Sequence, residues 1–268
     1  MATLNIGMSG NPVKALQRAL AAHGFDPGLI DGEFGGATDA ALRAFQRSEG
    51  MLADGIAGPR SLCALGLAES DELPSVLPGV SVQIVSAMFP QTPIGNIKTN
   101  LPPVKQALAD LGLQDRAMVL MALATIRAET ESFRPVPEGE SRFNTPPGGP
   151  SFGLYDNRRD LGNTGHPDGD RYKGRGFVQL TGRANYRQFG PLLRTPVDLE
   201  TQPEHAAEAG IAAELLALFL KNRELQIKDA LMHDNLMAAR RLVNGGSNGL
   251  DRFTDAFKRG STLLGDIG

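Results

Sequence analysis

Ala117-Met-Val-Leu-Met-Ala-Leu-Ala-Thr-Ile126 is a nearly unbroken apolar run that changes abruptly to Arg127-Ala-Glu129-Thr-Glu131. A run of this length is too long for an ordinary strand and too short for a bilayer span; apolar on all sides, it predicts a helix buried in a core. Asp115 stands where it would cap that helix. The helix carries Glu129 to the edge of the core, where partial desolvation disfavours the charged carboxylate and raises its pKa. A carboxyl so placed holds a proton near neutral pH and can donate it to a leaving oxygen. The ordinary alternative is an exposed ion pair, with Arg127 as the partner at hand, which contributes little.

Upstream, residues 1–68 have a pattern of their own. Asn11-Pro12 predicts a helix start, Asn as the cap and Pro at the first helical position, with Val13, Leu16 and Leu20 on one face and Gly24 at the end. A second helix is expected from about Ala37, carrying Ala41, Leu42 and Phe45, and a shorter third from Pro59, carrying Leu62 and Leu65. Asp-Gly-x-x-Gly precedes both, at 31–35 and 54–58, so a turn and a helix start form a small repeated unit. Residues 69–82 are acidic, contain Pro74, Pro78 and Gly79, and read as a linker.

Beyond the linker, helices are expected at 82–89 and 102–111, the latter with Pro102 and Pro103 in its first turn. From 134 to 171 the periodicity disappears into a stretch rich in Pro and Gly, a length of loop that suits a substrate-lining role. Within it, 157–160 is either a solvated turn or a set of sugar contacts. Further helices are expected at 204–221, 236–243 and 250–264, with a tight glycine-rich connection between the last two.

The 268 residues carry a formal charge of −3 with no basic patch, which argues against nucleic acid as a partner. No apolar run is long enough to span a bilayer, so no membrane insertion is expected. Cys63 is the single cysteine, so no intramolecular disulfide can form. The N-terminus lacks a basic-then-apolar leader, and synthesis in the cytoplasm is the expectation.

Two resemblances sharpen this reading. Ala128-Glu129-Thr130-Glu131-Ser132-Phe133, followed by Tyr172-Lys173-Gly174-Arg175-Gly176-Phe177-Val178-Gln179-Leu180-Thr181-Gly182-Arg183-Ala184-Asn185-Tyr186, resembles the paired motifs of glycoside hydrolase family 19. That family includes chitinases and the lysozyme-like wall hydrolases of phages and bacteria, and the likeness covers most of residues 83–268. Val13-x-x-Leu16-Gln17-x-x-Leu20, Gly24-Phe25, Asp31-Gly32-x-Phe34-Gly35, Phe45-Gln46 and Asp54-Gly55-x-x-Gly58 together look like the peptidoglycan-binding domain type 1. The implied fold class is mainly α: a small three-helix wall-binding domain over 1–68, a linker over 69–82, and a lysozyme-like α-helical catalytic domain over 83–268.

The resemblance implies metal-independent, inverting hydrolysis of β-1,4 glycosidic bonds in peptidoglycan, with no cofactor, by a monomer acting on glycan strands. Chitin is the runner-up substrate. Inverting chemistry needs an acid on the leaving oxygen and, about 6.5–9.5 Å away, a carboxylate that activates water. Glu129 is the acid. Glu138, nine residues on, resembles the base of the lysozyme-like branch, with Glu140 as its rival; either is otherwise a solvated loop charge. Thr181 falls where the family uses a hydroxyl to hold the attacking water, and Gln179 and Asn185 fall at sugar-binding amides, which both donate and accept. Arg175 and Glu140 join the substrate-facing set. Tyr172 either faces the cleft or sits in the core, and Asn244 either contacts substrate or caps a helix before glycine. Ala128 departs from the family, which commonly has His there, so Glu129 must be oriented by other means. Without a leader, a wall-directed enzyme requires holin-type release or dedicated export.

Other chemistries fit less well. The histidines His23, His166, His205 and His233 include no pair with the short spacing of a helical metal site, which disfavours a zinc amidase. Cys63, beside Leu62 and Leu65, reads as a buried structural thiol rather than a nucleophile. Gly245-Gly-Ser247-Asn-Gly249 matches a serine-hydrolase elbow in letters but follows a helix instead of a strand. A wall-binding protein with a degenerate hydrolase domain is the non-enzymatic reading, to which Ala128 lends slight support.

Overall fold

The structure, a computed structural model, describes residues 3–68, 75–244 and 249–265, with the backbone alone of Asn244. The chain divides into two compact units, Met1–Pro74 and Ser75–Gly268. Both are helical, and among the described residues extended pairing is confined to isolated bridges. The fold class expected from the sequence, mainly α with a small three-helix domain, is the one observed.

The first unit contains α1 (Asn11–Ala22), α2 (Gly36–Ser48) and α3 (Pro59–Ala64) around a core that includes Val13, Leu16, Leu20, Leu42, Phe45 and Leu62. Asn11 is not the cap of α1. Gly10 takes that position at φ 112, its N–H donating to the Gly32 carbonyl at 2.8 Å, a conformation that only glycine adopts cheaply. The repeated Asp-Gly turns are locked by two buried glutamines in the same way. Gln17 Nε2 donates to Asp31 Oδ1, the Glu33 carbonyl and Thr38 Oγ1, while its Oε1 accepts from Gly32 N. Gln46 Nε2 donates to Asp54 Oδ1, the Ile56 carbonyl and Ser61 Oγ, while its Oε1 accepts from Gly55 N. Each amide is fully used, which makes a buried polar side chain tolerable and fixes the loop above it. Cys63 is half-buried, less sequestered than its apolar neighbours suggested.

The second unit begins earlier than expected. Of the stretch read as linker, 69–74 lies outside the described residues, but Val76, Leu77 and Val80 are buried in the second core, and Val76 N donates to the Gln114 carbonyl. Pro78 and Gly79 sit in a single 3-10 turn, Leu77–Gly79, too short to leave a period in the sequence. Next come α4 (Val82–Met88) and α5 (Ile94–Asp110). The latter starts well before Pro102 and carries both prolines inside it, because Ile97, Leu101, Val104 and Leu108 bury one continuous face. The carbonyls those prolines leave unpaired belong to Lys98 and Thr99, which are exposed, so water can satisfy them.

The apolar stretch forms α6 (Arg116–Thr130), and every residue from Met118 to Ala128 is buried. Asp115 caps it, accepting from Met118 N at 3.2 Å. A short α7 (Asp168–Arg171) and α8 (Arg183–Phe189) follow the long loop, and α9 (Ala209–Lys221), α10 (Glu224–Met232), α11 (Leu236–Asn244) and α12 (Leu250–Leu263) complete the unit. The helix expected over 204–221 is split. Pro203–Ala207 is a 3-10 turn and Glu208 is extended before α9 begins. Helices α9, α10 and α12 pack on α6. Gly260 brings α12 so close that a methyl there would stand 2.4 Å from Leu120 Cδ2.

A charge cluster around the buried Glu224 ties α10 to the start of α6. Lys228 bonds both Glu224 (2.6 Å) and the capping Asp115 (2.8 Å), and Lys221 reaches Glu224 at 2.7 Å. Burial alone would push the Glu224 carboxyl up, but the two ammonium groups more than reverse it and bring it down to about 2. A depressed carboxyl stabilises the fold above its ordinary pKa of 4.5, and that contribution is lost as the pH falls from 4.5 through about 2. Glu224→Gln is therefore expected to lower Tm at pH 6, with the mutant and wild-type Tm curves converging near pH 2. Parallel curves over that range in calorimetry would contradict this.

Candidate active site

Glu129 lies in the last turn of α6, and the chain beyond it is tightly held. Glu131 and Phe133 both adopt positive φ, 43° and 53°, a cost for non-glycine residues that persists only where the surroundings enforce it. Thr92 Oγ1 donates to the Glu131 carbonyl and Asn96 Nδ2 to the Ser132 carbonyl at 2.9 Å. Phe133 is fully buried, its ring 4.9 Å from Phe89 and 6.1 Å from Phe177. Arg127 is not the partner of Glu129. It is buried, donates to the Met88 carbonyl at 2.6 Å and approaches Glu131 at 3.8 Å.

The partner of Glu129 is Arg240 of α11, 1% exposed, whose Nη2 donates to Glu129 Oε1 at 2.6 Å. Burial raises the Glu129 carboxyl above the usual range; Arg240 and Arg252 pull it down, the charge of Glu138 pushes it up, and the net direction is upward. Ala128, where a histidine was the family expectation, lies under the start of α12. A Cβ on Gly249 would be 3.3 Å from Ala128 Cβ and 3.0 Å from its carbonyl oxygen, so a larger side chain is crowded there. Arg240 does the orienting from the other direction.

Glu138 sits in the loop after α6 and is held on both oxygens. Asn144 Nδ2 (2.9 Å) and the Tyr155 hydroxyl (3.0 Å) donate to Oε1, and Gly174 N donates to Oε2 at 3.3 Å. The Glu138 N–H in turn donates to the Gly174 carbonyl at 2.7 Å. Gly174 is the hub of the arrangement. At the position its Cβ would occupy, Gln179 Oε1 lies 2.9 Å away and Glu138 Oε2 and Thr181 Oγ1 each 3.2 Å away. The segment carrying Gln179 and Thr181 is folded back by the antiparallel bridge between Arg175 and Leu180, with Gln179 at φ 50° in its turn.

The proton inventory around Gly174 is one-sided. Gln179 spends both amide protons on the Val136 and Gly176 carbonyls, and Thr181 spends its hydroxyl proton on the Gln179 carbonyl at 2.8 Å. The oxygens of Gln179, Thr181 and Glu138 that meet beside Gly174 are therefore all acceptors.

The remaining sequence candidates are placed less favourably. Glu140 is exposed and accepts from Ser151 Oγ at 2.7 Å, away from these three oxygens. Asn185 is half-buried and donates to the Thr181 carbonyl at 2.7 Å, bracing the segment. Of the two readings of Tyr172, the structure puts the ring in the core, its hydroxyl donating to the Glu200 carbonyl. Arg175 does not face outward either: it is buried and donates to the Arg171 and Lys173 carbonyls and to the Tyr186 hydroxyl. The side chain of Asn244 and residues 245–248, with Ser247, lie outside the described residues. The polar stretch 157–160 is a turn, part of it the 3-10 segment Arg159–Leu161, with an Arg158–Asp160 ion pair on the surface. Among the described residues no three His, Cys, Asp or Glu side chains gather as a metal-ligand set.

Three residues at the site were not anticipated. Arg240 carries a signal in the sequence: it falls on the stripe Leu236, Ala239, Val243, where a charge on an apolar face has to be met by an opposite one. Asn144 and Tyr155 carry none, because they lie in a loop without period.

Residues 9–65 match the model of the putative peptidoglycan binding domain. The N-acetylmuramoyl-L-alanine amidase CwlM of Mycobacterium tuberculosis is 48% identical over 56 residues, covering 21% of this chain and 14% of that protein. A glycosyl hydrolase family 19 domain-containing protein of Haemophilus influenzae is 29% identical over 107 residues, 37% of this chain and 45% of that protein. Among solved structures, chitinase C from Streptomyces griseus HUT6037 aligns over 74% of this chain and 82% of its own at 18% identity, with a TM-score of 0.47. The chain spans less than half the length of the curated relatives it matches. It joins a peptidoglycan-binding domain to a region similar to glycosyl hydrolase family 19.

Proposed function

We propose that this chain is a cell-wall hydrolase that cleaves β-1,4 glycosidic bonds of peptidoglycan with inversion, Glu129 acting as the acid and Glu138 as the base. The observation that carries the reading is the pairing of a carboxyl raised by burial with three acceptor oxygens around Gly174. A water molecule meeting acceptors alone must point its hydrogens at the protein and its lone pair outward, the orientation an attacking nucleophile needs. In the proposed step an O–H bond of that water breaks and its proton passes to Glu138, while its oxygen bonds to the anomeric carbon. The glycosidic bond breaks, its electron pair stays with the leaving oxygen, and that oxygen takes the proton of Glu129. Arg240 keeps Glu129 aimed and stabilises the carboxylate left behind.

Peptidoglycan as the polymer is supported by the N-terminal match and by relatives that include an N-acetylmuramoyl-L-alanine amidase and a zinc D-Ala-D-Ala carboxypeptidase of Streptomyces albus G. A glycosidic rather than a peptide or amide bond is supported by the carboxyl pair and by the family 19 relative.

The test is product analysis. Purified peptidoglycan is digested, the new sugar ends are reduced with borohydride, and the fragments are identified by mass spectrometry. Reduced muramic-acid ends are expected, with an inverted anomer as the first product by proton NMR. Reduced glucosamine ends would reassign the bond within the glycan. New amino groups without reducing ends would mean that a peptide or amide bond is cut, and the reading would fall. Chitin oligomers assayed in parallel separate a wall hydrolase from a chitinase.

A further inference from the structure

Glu138 has no helix beneath it, yet its two carboxylate oxygens are treated differently. Oε1 receives two side-chain donors, Asn144 Nδ2 at 2.9 Å and the Tyr155 hydroxyl at 3.0 Å, whereas Oε2 receives the longer bond from Gly174 N at 3.3 Å and is the oxygen that meets Gln179 and Thr181. Both donors to Oε1 are themselves fixed. Asn144 is fully buried, its Oδ1 accepting from Ser141 N at 2.8 Å and Thr145 Oγ1 at 2.9 Å and its Nδ2 also donating to the Gly139 carbonyl. Tyr155 ends the 3-10 turn Gly153–Tyr155, and its carbonyl is tied by Asn163 Nδ2 at 2.9 Å.

We propose that Tyr155 and Asn144 are positioning residues for Glu138: by occupying Oε1 they leave Oε2 as the oxygen that takes the proton from water, an inference that rests on the reading of Glu138 as the base. Neither residue touches substrate in this scheme. They decide which lone pair is free and fix the plane of the carboxylate. Tyr155 is suited to this because burial, reinforced by the adjacent Glu138, pushes its phenol up to about 12, so it remains a donor throughout the working range. Glu129, raised by burial, and Tyr186, also pushed up to about 12 by burial, feel the charge of Glu138, and Arg158 faces Tyr155 from the same loop.

Tyr155→Phe removes one hydroxyl and leaves the ring. Loss of a donor to a carboxylate raises its pKa, and a base must be ionised to work. The acid limb of kcat/KM is therefore expected to move up by about one pH unit, and kcat to fall about tenfold on that limb with KM unchanged. Carbon-13 NMR of the Glu138 carboxyl, without substrate, should show the same shift. Asn144→Ser removes the other donor and should move the limb the same way, which keeps the test available if one variant folds poorly.

An unmoved limb and an unmoved carboxyl resonance would overturn the proposal, as would a raised KM at constant kcat, which would make Tyr155 a substrate contact. Glu138→Gln is measured alongside. If it is inactive while Tyr155→Phe behaves as wild type, the positioning role alone is wrong. If Glu138→Gln keeps full activity, the base assignment is wrong and the positioning role falls with it.

Discussion

If Glu129 is the acid proposed above, Glu129→Gln is expected to lower peptidoglycan turnover by about 10³-fold, the range for removing a positioned general acid. The amide matches the carboxyl in shape and still offers an oxygen to Arg240, but it carries no proton acidic enough for a leaving sugar. Because Arg240 is 1% exposed, changing the group that its Nη2 bonds also disturbs the fold, so the rate must be expressed per folded molecule. Glu129→Asp separates the two effects. It keeps a proton-donating carboxyl on the same helix turn but withdraws it by one methylene, so turnover still falls by about 10²-fold, the cost of a misplacement near 1 Å. The assay is the initial rate of dye release from labelled peptidoglycan, with Tm taken on the same samples. A Gln variant within tenfold of wild type would remove Glu129 from the chemistry and assign the turnover to other residues. In the wild type, the raised carboxyl of Glu129 places the alkaline limb of the profile above the ordinary carboxyl range, and the Gln variant should lack that limb.

Gly174→Ala is the second large effect, and it comes from one methyl group. Gly174 is not among the residues at positive φ, so alanine is allowed by the backbone. The new carbon would stand 2.9 Å from Gln179 Oε1 and 3.2 Å from Glu138 Oε2 and Thr181 Oγ1, closer than van der Waals contact permits. Those oxygens have little freedom to retreat: Gln179 is pinned by two carbonyls, Thr181 by a third, and Glu138 by Asn144 and Tyr155. The methyl thus crowds the three oxygens that would orient the attacking water. Turnover per folded molecule is expected to fall by about 10²-fold or more, with Tm lowered by the overpacking and binding to insoluble peptidoglycan unaltered. Gly176→Ala is the informative contrast. At φ 79°, with a methyl 2.7 Å from the Ala206 carbonyl, it should destabilise the second unit instead. A Gly174→Ala enzyme of normal rate would mean that the water is held elsewhere.

How far such a site can be read from sequence depends on what holds each residue. Glu129 was legible because an apolar stretch of this length has one stable solution, a buried helix, and the end of that helix is fixed by counting. The two Asp-Gly turns of the first unit were legible as a repeat, although the glutamines that lock them were not, since a buried amide looks in sequence like any polar residue on a helix. Helix α5 was cut short by reading Pro102 and Pro103 as a beginning; packing of Ile97 and Leu101 outweighs two lost hydrogen bonds whose acceptors face water. Helix α10 was missed because its buried apolar positions, Ile227 and Ala230, are too few to declare a period. The loop residues Asn144 and Tyr155 are brought to Glu138 by turns whose geometry is set by tertiary contacts, and local pattern does not encode those.

The two carboxyls are mounted in opposite ways, and this bears on how the protein could be re-engineered. Glu129 is the fixed jaw of a vice, seated on a core helix whose end is bolted down by Thr92, Asn96 and Phe133. Glu138 is the adjustable jaw, carried by a stretch in which Asn144 and Tyr155 act as set screws. Exchanging residues 139–167 as a cassette would reset the opening between the jaws, and so the girth of the polymer admitted, without disturbing the hydrophobic framework that keeps the domain folded.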